Sequence, residues 1–158
     1  MNNPEVLYYE DMNIGDEWIS SSRTVTEADI VNFAGLSGDF NQLHMDEEFA
    51  KKTTFGKRIA HGLLGLCIAS GFSTRHPPTA IIAFLGIKEW NFKAPIFIGD
   101  TITLRNKIIE KKLTSKGNRG IVTFQKTVIN QSGEAVQEGK TTLMIALKQN
   151  KSDKKSGN

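Results

Sequence analysis

The sequence predicts an α+β fold in which a long antiparallel sheet curls around one buried helix. After Pro95, three consecutive segments alternate apolar and polar residues, as strands with one buried face do. Before them, the segment from Gly62 to Phe72 has Ser70 as its only polar side chain. Because no helical segment separates the later strands, the sheet is expected to be an antiparallel meander and not a series of βαβ units.

A strand and two capped helices are expected before the apolar segment. Residues Glu17 to Val25 are the candidate strand. Thr26 can cap a helix that has Asp29 in its first turn, and Asp46 can cap a second helix that runs through Ala50. The helical elements therefore precede the main run of strands.

The apolar segment from Gly62 to Phe72 is expected to be the central helix. A helix that is apolar on all sides in a soluble chain should be buried on most of them. Cys67 lies within this segment, which favours a small buried hydrophobic residue over a catalytic thiol. As the only cysteine, it cannot form a disulfide within the chain.

Four strands are expected after the helix. The first spans Ile81 to Lys93, and the second begins with the alternating segment Thr101 to Lys107. The turn signals KGN around Gly117 and QSGE around Gly133 separate the second strand from the two that follow. Those two strands are indicated by alternating apolar residues, Val122, Phe124 and Val128 in one and Leu143, Ile145 and Leu147 in the other.

The length and composition indicate one soluble domain. A chain of 158 residues is long enough for a single hydrophobic core. Hydrophobic residues make up 39% and charged residues 23%, which excludes a wholly disordered chain and a coiled coil. The longest strongly apolar stretch, Leu63 to Phe72, is too short to cross a membrane, and the N-terminus has no signal pattern, so we expect a cytoplasmic protein without a membrane partner.

The net charge lies at the C-terminal end of the sequence. Residues 148–158 contain four lysines and one aspartate and so carry the whole formal charge of +3. This segment is expected to be a basic, disordered tail that follows a folded domain at residues 1–147. Because the domain itself is neutral, the sequence gives little support to nucleic-acid binding.

A cluster of polar residues precedes the central helix. Asp39, Asn41 and His44 lie within six positions, in a segment whose pattern is too irregular for a confident helix. A loop can turn all three side chains to one point, which regular helix or strand spacing does poorly. A carboxylate and an imidazole can move a proton through one water at neutral pH. The spacing alone is also common in turns, where Asp and Asn bond their own backbone.

Three separated motifs together resemble the MaoC-like dehydratases, the R-specific enoyl-CoA hydratases of the hot-dog fold. They are the S-G-D-x-N-x-x-H motif that ends at His44, the A-H-G-L-L motif that begins at Ala60, and the segment Phe92 to Asp100. The resemblance covers nearly the whole chain and implies a single hot-dog domain. Gln42 stands where the family usually has proline, a change that affects the rigidity of the loop and removes no proton-transfer group.

The resemblance implies hydration of a trans-2-enoyl thioester to an (R)-3-hydroxyacyl thioester, and the reverse dehydration. Asp39 and His44 would hold the attacking water and transfer its protons, and Asn41 would orient the loop and the aspartate. The Gly62 amide would donate to the enolate oxygen. The substrate would be an acyl-CoA or acyl-carrier-protein thioester, with no further cofactor and no metal.

Residues beside the motifs are candidates for contacts with the substrate. His61 is favoured as a structural or pocket-lining residue, because no carboxylate near it is evident that would orient it as a base. Phe92 can line an acyl tunnel or pack in the core. Arg58 can meet the phosphates of coenzyme A or stay solvated. The full set is Arg58, Ala60, His61, Leu63 and Phe92.

Two other functions remain open on the sequence. A hot-dog thioesterase would place a carboxylate on or near the central helix, and residues 59–88 contain neither Asp nor Glu. A module that binds an acyl thioester without turning it over would have no need of Asp39 and His44. Because hot-dog sheets typically pair edge to edge, a homodimer is expected.

Overall fold

The described residues, 6–72 and 78–148 of the computed structural model, form one six-stranded antiparallel sheet and four α-helices. The sheet order is β1-β4-β5-β6-β3, and β2 pairs with β4. The helices are α1 (Glu27–Ser37), α2 (Gln42–Met45), α3 (Glu47–Ala50) and α4 (Gly62–Phe72). The strands are β1 (Glu17–Ile19), β2 (Arg23–Thr24), β3 (Ile81–Phe92), β4 (Thr101–Leu113), β5 (Gly120–Ile129) and β6 (Ala135–Ile145).

Strands β4, β5 and β6 form the predicted meander, which is confirmed. The turns between them use Gly117 and Gly133, both with a positive φ that side-chain-bearing residues adopt with strain. The first predicted strand is split in two. Ile19 pairs with Arg105 whereas Arg23 pairs with Ile102, so the register shifts by one residue between β1 and β2.

Helix α4 has the bounds that the sequence predicts and packs on the sheet with one face. Leu64 and Ile68 are buried in a cluster with residues of β4, β5 and β6. The expectation that the helix is buried on most sides is wrong for the single chain, because Leu63 is 58% exposed and Cys67 is also exposed. The physical reason is that the sheet covers only one side of the helix.

Strand β3 is the uncovered edge of the sheet. It pairs with β6, and its large apolar residues are exposed on both faces, Ile82 and Leu85 among them. A long apolar edge strand of this kind is a template for pairing with another chain. The exposed side of α4 and strand β3 together form the largely apolar side of the chain.

The predicted caps are present. Thr26 accepts a hydrogen bond from the Asp29 amide in a capping box at the start of α1, and Asp46 accepts one from the Phe49 amide at the start of α3. At the other end of the domain, the Lys148 amide donates to Glu10 at 3.0 Å, and the Lys148 ammonium pairs with Asp11. The described chain therefore includes the first residue of the predicted tail, and residues 149–158 lie outside the description.

None of the helices in residues 6–72 and 78–148 combines the length and apolarity that crossing a membrane requires. The cytoplasmic location stays a prediction.

Gly65 allows α4 to approach the sheet closely. A Cβ atom at this position would lie 2.3 Å from Nε2 of Gln137 and 2.8 Å from Cδ1 of Ile96. Both contacts are too short for a real Cβ, so a larger residue would push the helix away from β6. Gly71, on the same helix, has open space where a Cβ would stand.

Replacing Gly65 by alanine is expected to lower the free energy of unfolding by about 1–3 kcal/mol, because the added methyl group overpacks the helix against Gln137. The matched change Gly71→Ala should leave it unchanged or raise it by up to about 1 kcal/mol, since alanine favours the helix. Urea denaturation of both variants measures the difference. Equal stability of the two variants would contradict the close packing at Gly65.

Candidate active site

The loop that carries the candidate residues begins at the end of α1. Gly38 caps this helix with φ 78° in the left-handed region, and its amide donates to the Ala34 carbonyl at 2.8 Å. The Asp39 amide then donates to Oγ of Ser37 at 3.2 Å. The glycine of the S-G-D motif therefore ends the helix and turns the chain toward the site.

Asn41 starts a short helix that the sequence did not predict. Its Oδ1 accepts a hydrogen bond from the Leu43 amide at 2.9 Å, which caps α2, and its own amide donates to Oδ1 of Asp39 at 3.2 Å. His44 lies on this single helical turn, so the expected irregular loop is helical where the histidine stands. Gln42 occupies the first position of α2, where proline is favoured. The amide at this position has no partner within a helix, so glutamine in place of proline removes no hydrogen bond.

The ring of His44 is oriented by a backbone carbonyl. Its Nδ1 lies 2.8 Å from the carbonyl oxygen of Ile59. Because a carbonyl oxygen only accepts, Nδ1 carries the hydrogen and donates it, which leaves the lone pair of the neutral ring on Nε2. The Nε2 atom is therefore the one that can accept a proton.

His61 lies behind His44 and supports it. Its Nε2 donates to the backbone carbonyl of Asp39 at 2.9 Å, and its ring is packed between His44, at a centroid distance of 3.9 Å, and Phe33, at 5.0 Å. The side chain is buried, and Nδ1 has no hydrogen-bond partner among the described residues. His61 thus joins the aspartate loop to the ring of His44, and its structural or pocket-lining role stays a prediction.

Asp39, His44 and His61 form one compact cluster. A carboxylate oxygen of the aspartate and one ring nitrogen of each histidine lie within 4.8 Å of one another. Two groups that each hydrogen-bond the same water at about 2.8 Å can be up to about 5.6 Å apart. The carboxylate and the His44 ring are therefore close enough to share one water. The same atoms are of kinds that bind Zn²⁺, and the expectation that the site holds no metal stays a prediction.

The third motif is held against the second by a short antiparallel bridge. Ile59 pairs with Phe97, and the Ala60 amide donates to the Ile96 carbonyl at 2.8 Å. Asp100 closes the turn after this segment by accepting from the Phe97 amide at 2.8 Å. The segment Phe92 to Asp100 therefore fixes Ile59, whose carbonyl orients His44.

A cleft of about 300 Å³ opens in front of His44. Its wall contains Ala60, Gly62 and Phe92, together with Gln137 from β6. Gly62 is the first residue of α4, and its amide has no hydrogen-bond partner among the described residues. A Cβ at Gly62 would lie 3.0 Å from the ring of Phe92, so the glycine keeps its backbone open to the cleft.

Two other candidates for contacts with a substrate lie elsewhere. Leu63 is exposed on the far side of α4 and is absent from the wall of the cleft. Arg58 donates to both carboxylate oxygens of Glu27 at 2.7 Å and to Glu47 at 3.0 Å. These contacts occupy donors on all three nitrogens of the guanidinium group. They also raise its pKa, chiefly through the hydrogen bonds to Glu27. Arg58 therefore links α1 to α3.

Gln137 is a residue of the site that sequence reasoning missed. Its side chain is 2% exposed, its Nε2 donates to the Gly62 carbonyl at 3.0 Å, and its Oε1 accepts from Nε1 of Trp90 at 3.2 Å. It thus holds the first turn of α4 to the sheet. The only available signal was a polar residue in a strand at a position that faces the helix.

Residues 12–130 of the chain match the family model described as MaoC like domain. The chain is 40% identical over 144 residues to the (R)-specific enoyl-CoA hydratase of Rhodospirillum rubrum, an alignment that covers 87% of this chain and 91% of that protein. This similarity covers both proteins almost from end to end.

Solved structures show the same architecture. A structure titled monoamine oxidase regulatory protein, from Archaeoglobus fulgidus, superposes with a TM-score of 0.84 at 42% identity and covers 91% of this chain and 97% of that one. The R-hydratase PhaJ1 of Pseudomonas aeruginosa, in its unliganded form, superposes with a TM-score of 0.75 at 30% identity and covers 89% and 86%.

The ion pair between Arg58 and Glu27 is expected to stabilise the fold by about 1 kcal/mol, because the contact is bidentate but partly exposed. A double-mutant cycle with Arg58→Met and Glu27→Gln measures this coupling by urea denaturation. The Arg58 hydrogen bond lowers the pKa of Glu27, so the coupling should be present at neutral pH and be lost as the pH falls through the acid range. A coupling near zero at neutral pH would contradict the assignment.

Proposed function

The chain belongs to the family of MaoC-like domains and has the hot-dog fold, and we propose that it catalyses the (R)-specific addition of water to a trans-2-enoyl thioester and the reverse dehydration. The observation that carries this proposal is the cluster of Asp39 and His44, in which His44 also lines a cleft that contains the start of α4. The hydratase of Rhodospirillum rubrum supports the same reaction class.

One water bound between Asp39 and His44 supplies both parts of the addition. Its oxygen attaches to the β-carbon of the enoyl group while one proton leaves it, and one proton is added to the α-carbon. We assign the proton from water to Nε2 of His44, the ring nitrogen with the free lone pair. In the hydration direction, Asp39 donates a proton to the α-carbon. The proton on His44 then passes to Asp39 before the next turnover.

Negative charge develops on the thioester oxygen as the β-carbon is attacked. We assign this oxygen a hydrogen bond from the Gly62 amide, at the N-terminal end of α4. A donor held by the backbone needs no rearrangement during the reaction, and Gln137 fixes the same helical turn through the Gly62 carbonyl. This donor is the third component of the proposed site.

The carrier of the acyl group is coenzyme A or an acyl carrier protein. Hydration leaves the overall oxidation state unchanged, so the proposed reaction needs no redox cofactor. Arg58 is not assigned to the carrier phosphates, because carboxylates already occupy its guanidinium group. Ala60 and Phe92 are the candidates that remain for contacts with the acyl group in the cleft.

Strand β3 and the outer side of α4 are the proposed interface of a homodimer. The exposed apolar residues of β3 include Leu85, and the exposed side of α4 includes Leu63. Pairing of two β3 edges would remove the unpaired backbone groups and the apolar surface from water at the same time. The same contact would cover Cys67, which is exposed in the single chain.

The variants Asp39→Asn and His44→Ala are each expected to lower the rate of crotonyl-CoA hydration by about 10²- to 10⁴-fold, because each removes one proton-transfer group. The loss of enoyl-thioester absorbance measures the rate. Glu48→Gln, a carboxylate-to-amide change at an exposed residue of α3, is the matched control and should keep full activity. Hydration that survives both site variants would overturn the roles assigned to Asp39 and His44, whereas no hydration by the wild-type protein would favour a module that only binds the thioester.

Leu85→Asp is expected to convert a dimer into a monomer, because it places a charge on the apolar edge of β3. Leu36→Asp, on the exposed side of α1, is the matched control and should leave the mass unchanged. Sedimentation velocity at micromolar concentration measures the mass, and circular dichroism verifies the fold. A monomeric wild-type protein would refute the proposed interface.

A further inference from the structure

A second cavity lies beside the proposed catalytic cleft. It has a volume of about 430 Å³ and is enclosed by α4 and the strands β3, β5 and β6. We call it the distal groove. Its walls are mostly apolar and include Leu66 and Cys67 on α4, Phe84 and Ile87 on β3, and Leu143 on β6. The groove therefore opens onto the proposed dimer interface, where the partner would bound its open side.

Two buried polar groups line this apolar groove. Lys126 on β5 is 2% exposed, and Thr141 on β6 is equally buried. Neither Nζ of Lys126 nor Oγ1 of Thr141 has a hydrogen-bond partner among the described residues. The ammonium group lies 5.9 Å from the centroid of the Phe124 ring.

A buried ammonium group without a partner is unfavourable, because it has lost its hydration and gained no hydrogen bond. Burial lowers the pKa of Lys126 to about 8, so the group is still mostly protonated at neutral pH. An anionic ligand would remove this cost by pairing with the ammonium group. The apolar walls and the single cation together favour a ligand with a hydrocarbon chain and a negative end.

Helix α4 and the strands β3 and β6 line both the distal groove and the catalytic cleft. Gly62 and Leu66 lie on α4, and Ser70, at the far end of the groove, lies about 12 Å along the helix from Gly62 at 1.5 Å per residue. On β6, Gln137 faces the cleft and Thr141 faces the groove. A chain that extends from the cleft along α4 would therefore need about this length to reach the groove.

The indole of Trp90 lies against β6, between the residues of that strand that line the two cavities. A Cβ at Gly139, midway between Gln137 and Thr141 on β6, would lie 2.5 Å from Cε3 of Trp90, so the ring covers this glycine. The ring is held there by its hydrogen bond to Gln137.

We propose that the distal groove binds the far end of the acyl chain and that Lys126, with Thr141, selects enoyl thioesters whose chain ends in a carboxylate. This inference rests on the proposed hydratase function and adds the substrate class. The ammonium group and the hydroxyl would each donate a hydrogen bond to the carboxylate, and a charge-assisted pair in an apolar site is strong and specific. Lys126 is thus a specificity-determining residue.

The test compares two substrates of equal chain length, trans-2-octenoyl-CoA and trans-2-octenedioyl-CoA, with crotonyl-CoA as the measure of basic activity. The wild-type protein should favour the dicarboxylic substrate by about tenfold or more in kcat/KM. Lys126→Met should abolish or reverse this preference, keep the rate with crotonyl-CoA and keep the fold. Lys140→Met is the matched control, since this lysine pairs with Glu89 outside the groove, and it should retain the preference.

The outcomes separate the two proposals. If no substrate is hydrated, the proposed function fails. If crotonyl-CoA is hydrated and the wild-type protein shows no preference for the dicarboxylic substrate, or if Lys126→Met retains that preference, the inference about Lys126 is overturned and the hydratase function stands. If crotonyl-CoA is hydrated and both eight-carbon substrates are rejected, the groove does not bind the acyl chain and the inference fails.

Discussion

The site depends on the short antiparallel bridge between Ile59 and Phe97. This bridge places the Ile59 carbonyl where it accepts the hydrogen bond from Nδ1 of His44, and that bond fixes both the position and the tautomer of the ring. The bridge also sets the entry of the chain into α4, and therefore the position of the Gly62 amide. Three motifs that lie far apart in sequence thus form one site, because the bridge positions both the His44 ring and the Gly62 amide.

The second constraint is that the sheet covers only one side of α4. The inner side packs closely enough to require glycine at position 65, where a Cβ would meet Gln137. The outer side leaves Leu63 exposed next to the apolar edge of β3. The proposed homodimer and the distal groove both follow from this asymmetry, because the uncovered half of the helix borders a surface that water solvates poorly. Lys126 is the exception in these apolar surroundings. Its ammonium group, which has no hydrogen-bond partner among the described residues, gives the groove its chemical character.

Local signals in the sequence were sufficient for most of the fold. The alternation in β4, β5 and β6 and the apolar run of α4 are periodic patterns, and Thr26 is a strong cap. Helix α2 has only four residues and so no periodicity to detect. The exposure of Cys67 could not be predicted from the sequence, because an apolar segment is typical of a core and of an interface alike. The roles of Arg58 and Gln137 depend on partners that are distant in sequence, and one chain without coordinates does not reveal them.

The stereochemistry of the product tests the central claim most directly. Asp39, His44 and the Gly62 amide are held by one set of backbone contacts, so water should reach only one face of the double bond. Chiral analysis of the 3-hydroxybutyryl-CoA formed from crotonyl-CoA by the wild-type protein measures this. The proposed function predicts the R enantiomer alone. A racemic product, or the S enantiomer, would contradict the proposed site.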